Sequence, residues 1–189
     1  MPQPQLLEKV LAVLDGNAID YMITGFIVSS LQGEPRSTHD VDIVVSIKAS
    51  NIPALLKIFL PPQYYISTEA IEEAIKFKSM FNLLDTTEGD KIDFWILTDD
   101  PFDKGRFQRK YEEDAFGFKM KVSTPEDTIL AKLRWAKLAG GSEKQFTDAL
   151  RVFEVQHDRL DFSYLETWAA NLGVEEMWHK IKQQADPIT

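Results

Sequence analysis

The clearest structural signal in the sequence is a β-branched run at residues 41–47, VDIVVSI. Val and Ile side chains pack well on a pleated, buried surface, so this run predicts a β-strand. Two carboxylates, Asp40 and Asp42, stand at its start. Side chains two residues apart on a strand project to the same face, so the strand would hold both carboxylates together. A charge at the mouth of a buried strand is costly to desolvate, and the pair therefore indicates either a bound cation or a capped turn.

Helical and extended patterns alternate through the first part of the chain. Helix-like apolar spacing and turn residues at the segment ends predict helices at 5–14, 26–33, 51–60 and 68–77. Composition rich in β-branched and aromatic residues predicts strands at 20–24, 41–47, 64–67, 80–86, 91–97 and 115–123. The last of these strands would bury one face, formed by Phe116, Phe118, Met120 and Val122.

From Thr124 onward the sequence carries helical patterns. Thr124 is followed by Pro125 and Asp127, an arrangement close to a capping box that predicts the start of a helix. Further helical patterns lie at 143–157, 162–172 and 174–185. Mixed helices and strands followed by a helical tail predict an α+β fold, with a core at 1–123 and a C-terminal helical region at 124–189.

The charge balance limits the partners of the chain. Its net charge of −9 comes from 21 basic and 30 acidic residues, and no basic stripe is visible. Proteins that bind duplex DNA by counterion release carry such a stripe, so binding to extended duplex DNA is not expected. A small anionic ligand, or an RNA end held by a few local cations, remains open.

The sequence carries no sign of membrane insertion or secretion. No apolar run approaches the roughly 20 residues that span a bilayer. The N-terminus lacks the basic start and apolar centre of a signal peptide. The chain contains no Cys, which excludes disulfides and thiolate metal sites. These features predict a cytoplasmic protein that does not bind a membrane.

A third carboxylate, Asp93, stands inside segment 91–97, in which every other residue except Lys91 is apolar. Three carboxylates on adjacent strands would repel one another, and Mg²⁺ or Mn²⁺, which prefer oxygen ligands, would relieve that repulsion. Two such ions can hold the attacking and leaving oxygens of a phosphoryl displacement. We therefore expect Asp40 and Asp42 to bind metal, and Asp93 to complete the site or to act as a general base.

Three residues could bring phosphate near these carboxylates. Gly25 follows the first predicted strand, where glycine permits a positive φ and close approach of a ligand to backbone N–H groups, although a plain turn glycine has the same signature. Lys132 lies at the edge of an apolar helical stripe and would either reach a phosphate or lie in solvent. Arg36, in the segment before Asp42, would neutralise either the carboxylates or a phosphate.

Residues 23–45 resemble the signature of the polymerase-β-like nucleotidyltransferases. In that family a strand ends at a glycine, a short helix follows, and two Asp separated by one residue precede a third Asp on a later strand. The matching positions in this chain are Gly25, Asp40, Asp42 and Asp93.

Two further parts of the chain resemble one branch of that family, the small bacterial nucleotidyltransferases of abortive-infection and toxin–antitoxin systems. The first is RSTHDVD at 36–42. The second is the C-terminal helical part, with TPEDTILAKLRWAK at 124–137 and SEKQFTDALRV at 142–152. The resemblance as a whole covers about residues 20–155.

The resemblance implies a mixed sheet of the nucleotidyltransferase type flanked by helices. It also implies Mg²⁺- or Mn²⁺-dependent transfer of NMP from an NTP, such as ATP, to a hydroxyl acceptor. The implied metal ligands and catalytic residues are Asp40, Asp42 and Asp93. The implied nucleotide-binding residues are Gly25, Ser29, Ser30, Arg36, Lys132 and Lys144.

Phe26 departs from the family pattern, which usually has a small residue after the glycine. This departure favours an alternative function, a non-catalytic nucleotide-binding or partner-binding module that keeps the fold. A third interpretation is an antitoxin-like protein whose C-terminal helices bind a protein partner. The acceptor also remains open among a tRNA 3′ end, a protein hydroxyl and an aminoglycoside-like small molecule, and so does the choice of NTP.

Overall fold

The structure is a computed structural model that describes residues 4–34 and 40–186. The chain forms two compact units. The first unit comprises the described residues of Met1–Phe26 and Ser37–Val122, and the second comprises those of Ile27–Arg36 and Ser123–Thr189.

The first unit contains a mixed sheet, which has seven strands in the described part of the chain. The strands are β1 (Asp20–Thr24), β2 (Asp40–Ser46), β3 (Tyr64–Tyr65), β4 (Met80–Asp85), β5 (Lys91–Ile96), β6 (Tyr111–Ala115) and β7 (Phe118–Val122). Their order across the sheet is β3-β4-β5-β2-β1-β7-β6. β2 pairs with β5, and β1 with β7, in parallel, whereas the other neighbouring strands pair antiparallel.

Helices accompany the sheet along the chain. They are α1 (Pro4–Gly16), α2 (Gly25–Gln32), α3 (Ile52–Ile58), α4 (Thr68–Phe77) and α5 (Pro101–Arg109), and α2 crosses the boundary between the two units after Phe26. α1 buries Leu7, Val10, Leu11 and Leu14, the helical spacing expected for one apolar face. Ser67 precedes α4 as its N-cap residue, and its hydroxyl accepts the backbone N–H of Ala70.

Apolar side chains of the central strands form the core of the first unit. Ile23, Ile43 and Phe94, on β1, β2 and β5, are fully buried. The rings of Phe81 and Phe94 stack at 4.8 Å across β4 and β5. The β-branched run at 41–47 therefore forms a central strand, as predicted, with its charged residues at one end.

The second unit contains the remaining helices of the described chain, α6 (Pro125–Leu138), α7 (Glu143–Gln156), α8 (Phe162–Leu172) and α9 (Glu175–Gln184). The predicted start of α6 is confirmed, because the Thr124 hydroxyl accepts the backbone N–H of Asp127 at 3.2 Å. The Asp127 carboxylate is fully buried and accepts the Tyr164 hydroxyl at 2.6 Å. Phe153 and Trp178 pack edge to face at 5.4 Å, which joins α7 to α9.

The strand predicted over residues 115–123 is wrong in its first part. β6 ends at Ala115, Phe116 and Gly117 form a turn with φ values of 58° and 87°, and β7 begins at Phe118. Phe116 therefore lies in the turn and is exposed instead of facing the core. Positive φ at both central positions is typical of a type I′ turn, and glycine accepts it readily whereas phenylalanine does not.

The sequence patterns also missed α5 and β6. α5 buries Phe102 and Phe107, and its other positions are mostly charged or polar, so helical periodicity is weak. Its start nevertheless carries a local signal, because the Asp100 side chain accepts the N–H groups of Phe102 and Asp103, and Pro101 opens the helix.

Among the described residues, no helix combines the length and the apolar character needed to cross a membrane.

Tyr21, a buried tyrosine in β1, should make the free energy of unfolding decrease at alkaline pH. Burial of Tyr21, reinforced by the charge of Asp15, raises the pKa of its phenol to about 12. The corresponding pKa in the unfolded chain is about 10, so the contribution of Tyr21 to stability is complete below pH 10 and is lost as the pH rises towards 12. We expect the free energy of unfolding to fall by up to about 3 kcal/mol over this range through Tyr21 alone.

Urea unfolding measured at a series of pH values from 9 to 12 tests this expectation. Tyr21→Phe should flatten the alkaline loss of stability, because it removes the titrating hydroxyl. Tyr65→Phe, at an exposed side chain, should keep the wild-type dependence on pH. An unchanged slope in Tyr21→Phe would contradict the assignment.

Candidate active site

Polar side chains form a row across four neighbouring strands of the first unit. In the strand register, Asp42 of β2 is paired with Asp93 of β5 and with Thr24 of β1. Asp93 is paired in turn with Asn82 of β4. Directly paired residues on neighbouring strands present their side chains on the same face of a sheet. We call Thr24, Asp42, Asp93 and Asn82 the polar row.

Asp42 and Asp93, the two carboxylates of the polar row, are less exposed to solvent than Asp40, the third predicted carboxylate. Asp93 is 8% exposed and Asp42 is half-buried, whereas the side chain of Asp40 is 60% exposed. Asp40 lies two residues before Asp42 and is paired in register with Lys91. The structure thus brings Asp42 and Asp93 together as predicted, with Asp40 nearer to solvent at the start of the strand.

Lys91 provides the positive charge next to these carboxylates. Its Nζ lies 2.8 Å from Asp93 Oδ2 and 3.6 Å from Asp40 Oδ1. The hydrogen bond to Asp93 is the main reason that the pKa of Lys91 lies above its usual value. In the described structure, the repulsion between Asp40 and Asp93 is therefore relieved by Lys91, which lies on β5 together with Asp93.

Trp95 fixes Asp42 from the other side of the polar row. Its indole Nε1–H donates to Asp42 Oδ1 at 3.0 Å. The indole also packs against an apolar cluster of Met22, Val44 and Phe107. Because the ring is held by this cluster, its N–H presents a fixed donor to the carboxylate.

Gly25 lies against Asp42 at the point where β1 turns into α2. Its φ is +70°, as the sequence suggested for this position. A methyl group on its Cα would lie 2.8 Å from Asp42 Cγ and 2.9 Å from Asp42 Cβ, closer than real Cβ contacts. Glycine is thus required here both by the backbone and by the carboxylate beside it.

Gly25→Ala is expected to displace Asp42 and to lower the rate of any reaction that uses this carboxylate about a hundredfold, because small misplacements of reacting groups have effects of this size. It should also destabilise the first unit by about 2 kcal/mol, from backbone strain and the collision with Asp42. Gly89→Ala is a matched control, since Gly89 has a φ of +77° and open space around its Cα. Urea unfolding of both variants, together with the rate of any reaction at this site, measures the difference. Equal losses in the two variants would show that backbone strain alone is responsible.

The oxygens of Asp42 and Asp93 fit a divalent cation. Asp93 Oδ1 is buried and has no hydrogen-bond partner, so one strong acceptor of the polar row is left unsatisfied. Carboxylate oxygens are the donors that Mg²⁺ and Mn²⁺ prefer. Within residues 4–34 and 40–186, however, no three acidic, histidine or cysteine side chains are grouped so as to hold a metal ion. The assignment of Asp40, Asp42 and Asp93 as joint metal ligands stays a prediction.

The predicted triphosphate contacts are placed only in part. Ser29 and Ser30 lie on α2, in the second unit. Ser29 is 5% exposed, and the Ser30 hydroxyl oxygen is buried without a hydrogen-bond partner. Arg36 lies outside the described residues.

The two predicted phosphate-binding lysines have different surroundings. Lys132 is 6% exposed, and its Nζ donates to Asp148 Oδ2 at 2.9 Å. The alternative interpretation of Lys132 as a lysine in solvent is therefore wrong. Lys144 is exposed in the first turn of α7. Phosphate binding by either lysine stays a prediction.

Four residues of the site were not singled out from the sequence. They are Thr24, Asn82, Lys91 and Trp95. Lys91 and Trp95 stand two residues before and after Asp93, so the alternation of side chains along a strand places them on its face. Thr24 and Asn82 belong to the site only because of the strand register, and the local sequence carries no signal for that register.

Comparison with known proteins identifies the fold. No protein-family model matches the sequence, and no curated protein sequence matches it either. Solved structures do match, among them the antibiotic-resistance factor ANT(2'')-Ia, with a TM-score of 0.60, 13% identity and coverage of 95% of each chain. The lincosamide antibiotic adenylyltransferase LnuA, solved with lincomycin, matches with a TM-score of 0.55 and 16% identity over 82% of this chain and 98% of its own.

A third match is an antigenic nucleotidyltransferase-like protein from Paracoccidioides brasiliensis. Its TM-score is 0.51 at 20% identity, with coverage of 94% of this chain and 91% of its own. At such low identities the likeness shows the fold. The predicted α+β fold with a mixed sheet of the nucleotidyltransferase type is confirmed.

Proposed function

We propose that this protein is a Mg²⁺-dependent nucleotidyltransferase that transfers NMP from an NTP to a hydroxyl acceptor and releases pyrophosphate. The observation that carries the proposal is the side-by-side pairing of Asp42 and Asp93, with Asp93 Oδ1 buried and unsatisfied. The fold supports it, because the matching structures include nucleotide-transferring enzymes.

The residues of the polar row have separate roles in this proposal. Asp42, held by the Trp95 N–H and by contact with Gly25, and Asp93 would bind the divalent cation, with Asp40 as a more exposed ligand. A bound Mg²⁺ or Mn²⁺ neutralises charge on the phosphates and lowers the barrier to displacement. The Asp93 carboxylate accepts the proton of the acceptor hydroxyl, the hydroxyl oxygen bonds to the α-phosphorus, and the bond to pyrophosphate breaks.

For the donor and acceptor we propose ATP and a hydroxyl-bearing small molecule. LnuA is a lincosamide antibiotic adenylyltransferase, and ANT(2'')-Ia is an antibiotic-resistance factor. The net charge of −9 suits a cationic small molecule better than a long RNA. A tRNA end or a protein hydroxyl are the other acceptors that the test must include.

The experiment that tests the proposal measures pyrophosphate release and product labelling. Purified protein is incubated with each NTP and Mg²⁺ or Mn²⁺, and with a panel of aminoglycosides, lincosamides, tRNA and a cell lysate. We expect label from ATP in a small-molecule product. Failure to bind any NTP in the presence of either metal would contradict the proposal.

A non-catalytic nucleotide-binding or partner-binding module is the second candidate function. The ion pairs of Lys91 with Asp93 and Asp40 favour it, because they compensate part of the negative charge of these carboxylates without a metal. Phe26 also favours it, because the family that the sequence resembles usually has a small residue at this position after the glycine. Calorimetry that detects NTP binding, together with no turnover over the whole acceptor panel, would select this candidate.

Membership in the abortive-infection and toxin–antitoxin branch is a further proposal, supported by the sequence patterns at 36–42 and 124–152. A protein of that branch could bind its partner through the helices of the second unit. A stable heterocomplex that is lost when α8 and α9 carry surface substitutions would support it.

A further inference from the structure

Lys91 places a positive charge on Asp93, one of the two carboxylates that the proposed cation would bind. Its Nζ lies 2.8 Å from Asp93 Oδ2 and 3.6 Å from Asp40 Oδ1. Lys91 and Asp93 are two residues apart on β5, so both side chains project from the same face of the sheet. The lysine side chain is 31% exposed, whereas that of Asp93 is 11% exposed. The ammonium thus approaches the buried carboxylate from the solvent side.

An ammonium group and a divalent cation that contact the same carboxylate each weaken the binding of the other. The two are like charges, and at contact distances in a partly buried site their repulsion is poorly screened. Asp93 Oδ1 is free of hydrogen bonds, but Oδ2 is already neutralised by Lys91. A cation that binds Asp42 and Asp93 must therefore weaken or displace the Lys91 ion pair. The flexible four-carbon stem of lysine allows the ammonium to leave.

We propose that Lys91 is a built-in counter-cation, which neutralises Asp93 in the metal-free protein and competes with the divalent cation, and which thereby sets the metal affinity of the site. This inference rests on the proposed function, because it takes Asp42 and Asp93 to be metal ligands. It makes Lys91 a positioning residue that acts through Asp93 and is not required to touch substrate.

Binding of Mn²⁺, followed by electron paramagnetic resonance of the free ion, tests the proposal without any need for turnover. Lys91→Met removes the charge and keeps most of the side-chain volume. We expect it to bind Mn²⁺ about tenfold more tightly than the wild-type protein, since a hydrogen bond between charged groups no longer competes. The same variant should melt at a lower temperature without metal, because Asp93 loses its partner, and Mn²⁺ should raise its melting temperature more than that of the wild type.

Two further variants make the result specific to Lys91. Lys91→Gln keeps a hydrogen-bond donor for Asp93 without the charge, so it should also bind Mn²⁺ more tightly, and it replaces Lys91→Met if that variant does not fold. Lys119→Met removes the same charge from an exposed position on β7 and should leave the Mn²⁺ affinity unchanged.

The outcomes separate this inference from the function on which it rests. If Mn²⁺ binding is abolished by Asp42→Asn and the Lys91 variants bind no more tightly than wild type, the role of Lys91 is overturned and the metal site stands. If neither the wild type nor the Lys91 variants bind Mn²⁺, or if binding survives Asp42→Asn, the proposed metal site itself is wrong. Tighter binding in both Lys91 variants, lost on Asp42→Asn, supports both.

Discussion

Asp42→Asn is expected to lower nucleotidyl transfer by about a thousandfold while the protein remains folded. The amide removes the negative charge that would hold the divalent cation. It also keeps an oxygen that can accept the Trp95 N–H, and it has nearly the same shape next to Gly25. The loss should therefore come from the missing charge and not from a change in packing. Single-turnover transfer of labelled NMP at saturating Mg²⁺ measures the effect.

Asp114→Asn is the matched control for this experiment. Asp114 is an exposed carboxylate on β6, at the far side of the sheet order from β5, and its neutralisation changes the net charge by the same amount. It should transfer NMP at the wild-type rate. Circular dichroism and urea unfolding should be similar for both variants. A rate for Asp42→Asn within about tenfold of wild type would remove Asp42 from the catalytic centre.

Lys132→Met is expected to destabilise the second unit by about 3 to 5 kcal/mol. Lys132 and Asp148 are 6% and 4% exposed and lie 2.9 Å apart from nitrogen to oxygen. Removing the ammonium takes the Lys132 ion pair from the buried Asp148 carboxylate, and breaking a buried pair from one side costs more than the pair itself contributes. Urea unfolding followed by the fluorescence of Trp168 and Trp178, which lie in this unit, measures the loss.

Two comparison variants separate burial from nucleotide binding. In Lys132→Met combined with Asp148→Leu, the buried Asp148 charge is absent as well, so most of the lost stability should return. Lys144→Met, at an exposed position on α7, should leave the stability within about 0.5 kcal/mol of wild type. If Lys132→Met unfolds within about 1 kcal/mol of wild type and instead weakens NTP binding, Lys132 serves the nucleotide and not the helical packing.

Much of the fold could be predicted from the sequence, because its strongest signals are local. The β-branched run at 41–47 became β2, and Thr124 with Pro125 marked the start of α6. Alternation failed at Phe116, where an apolar residue in a hairpin turn continued the pattern of the strand that follows. Hydrophobic periodicity identifies the buried face of a helix or strand. It cannot detect a turn whose residues continue the same apolar alternation.

The site was predictable where a single strand determines it. Asp40 and Asp42 share a face by alternation alone, and Asp93 stands out as a carboxylate within a mostly apolar strand. The ion pair of Lys91 with Asp93 and the pairing of Asp93 with Asn82 follow from side-chain placement and register, which depend on long-range contacts. The division after residue 123, the cytoplasmic location and the triphosphate contacts stay predictions.

The parallel pairing of β2 with β5 also has a consequence for the order in which the protein is made. Asp42 lies on a strand that can pair with β1 as soon as both have been synthesised, whereas Asp93 and Lys91 reach the ribosome exit much later in the chain. Non-local parallel pairing is slow, since the intervening segment must first be ordered. During synthesis, the β1–β2 pair with Asp40 and Asp42 can therefore form before Asp93 and Lys91 are available. The proposed site is complete only when β5 has joined β2, so a nascent chain arrested before β5 should lack the proposed activity whatever its local structure.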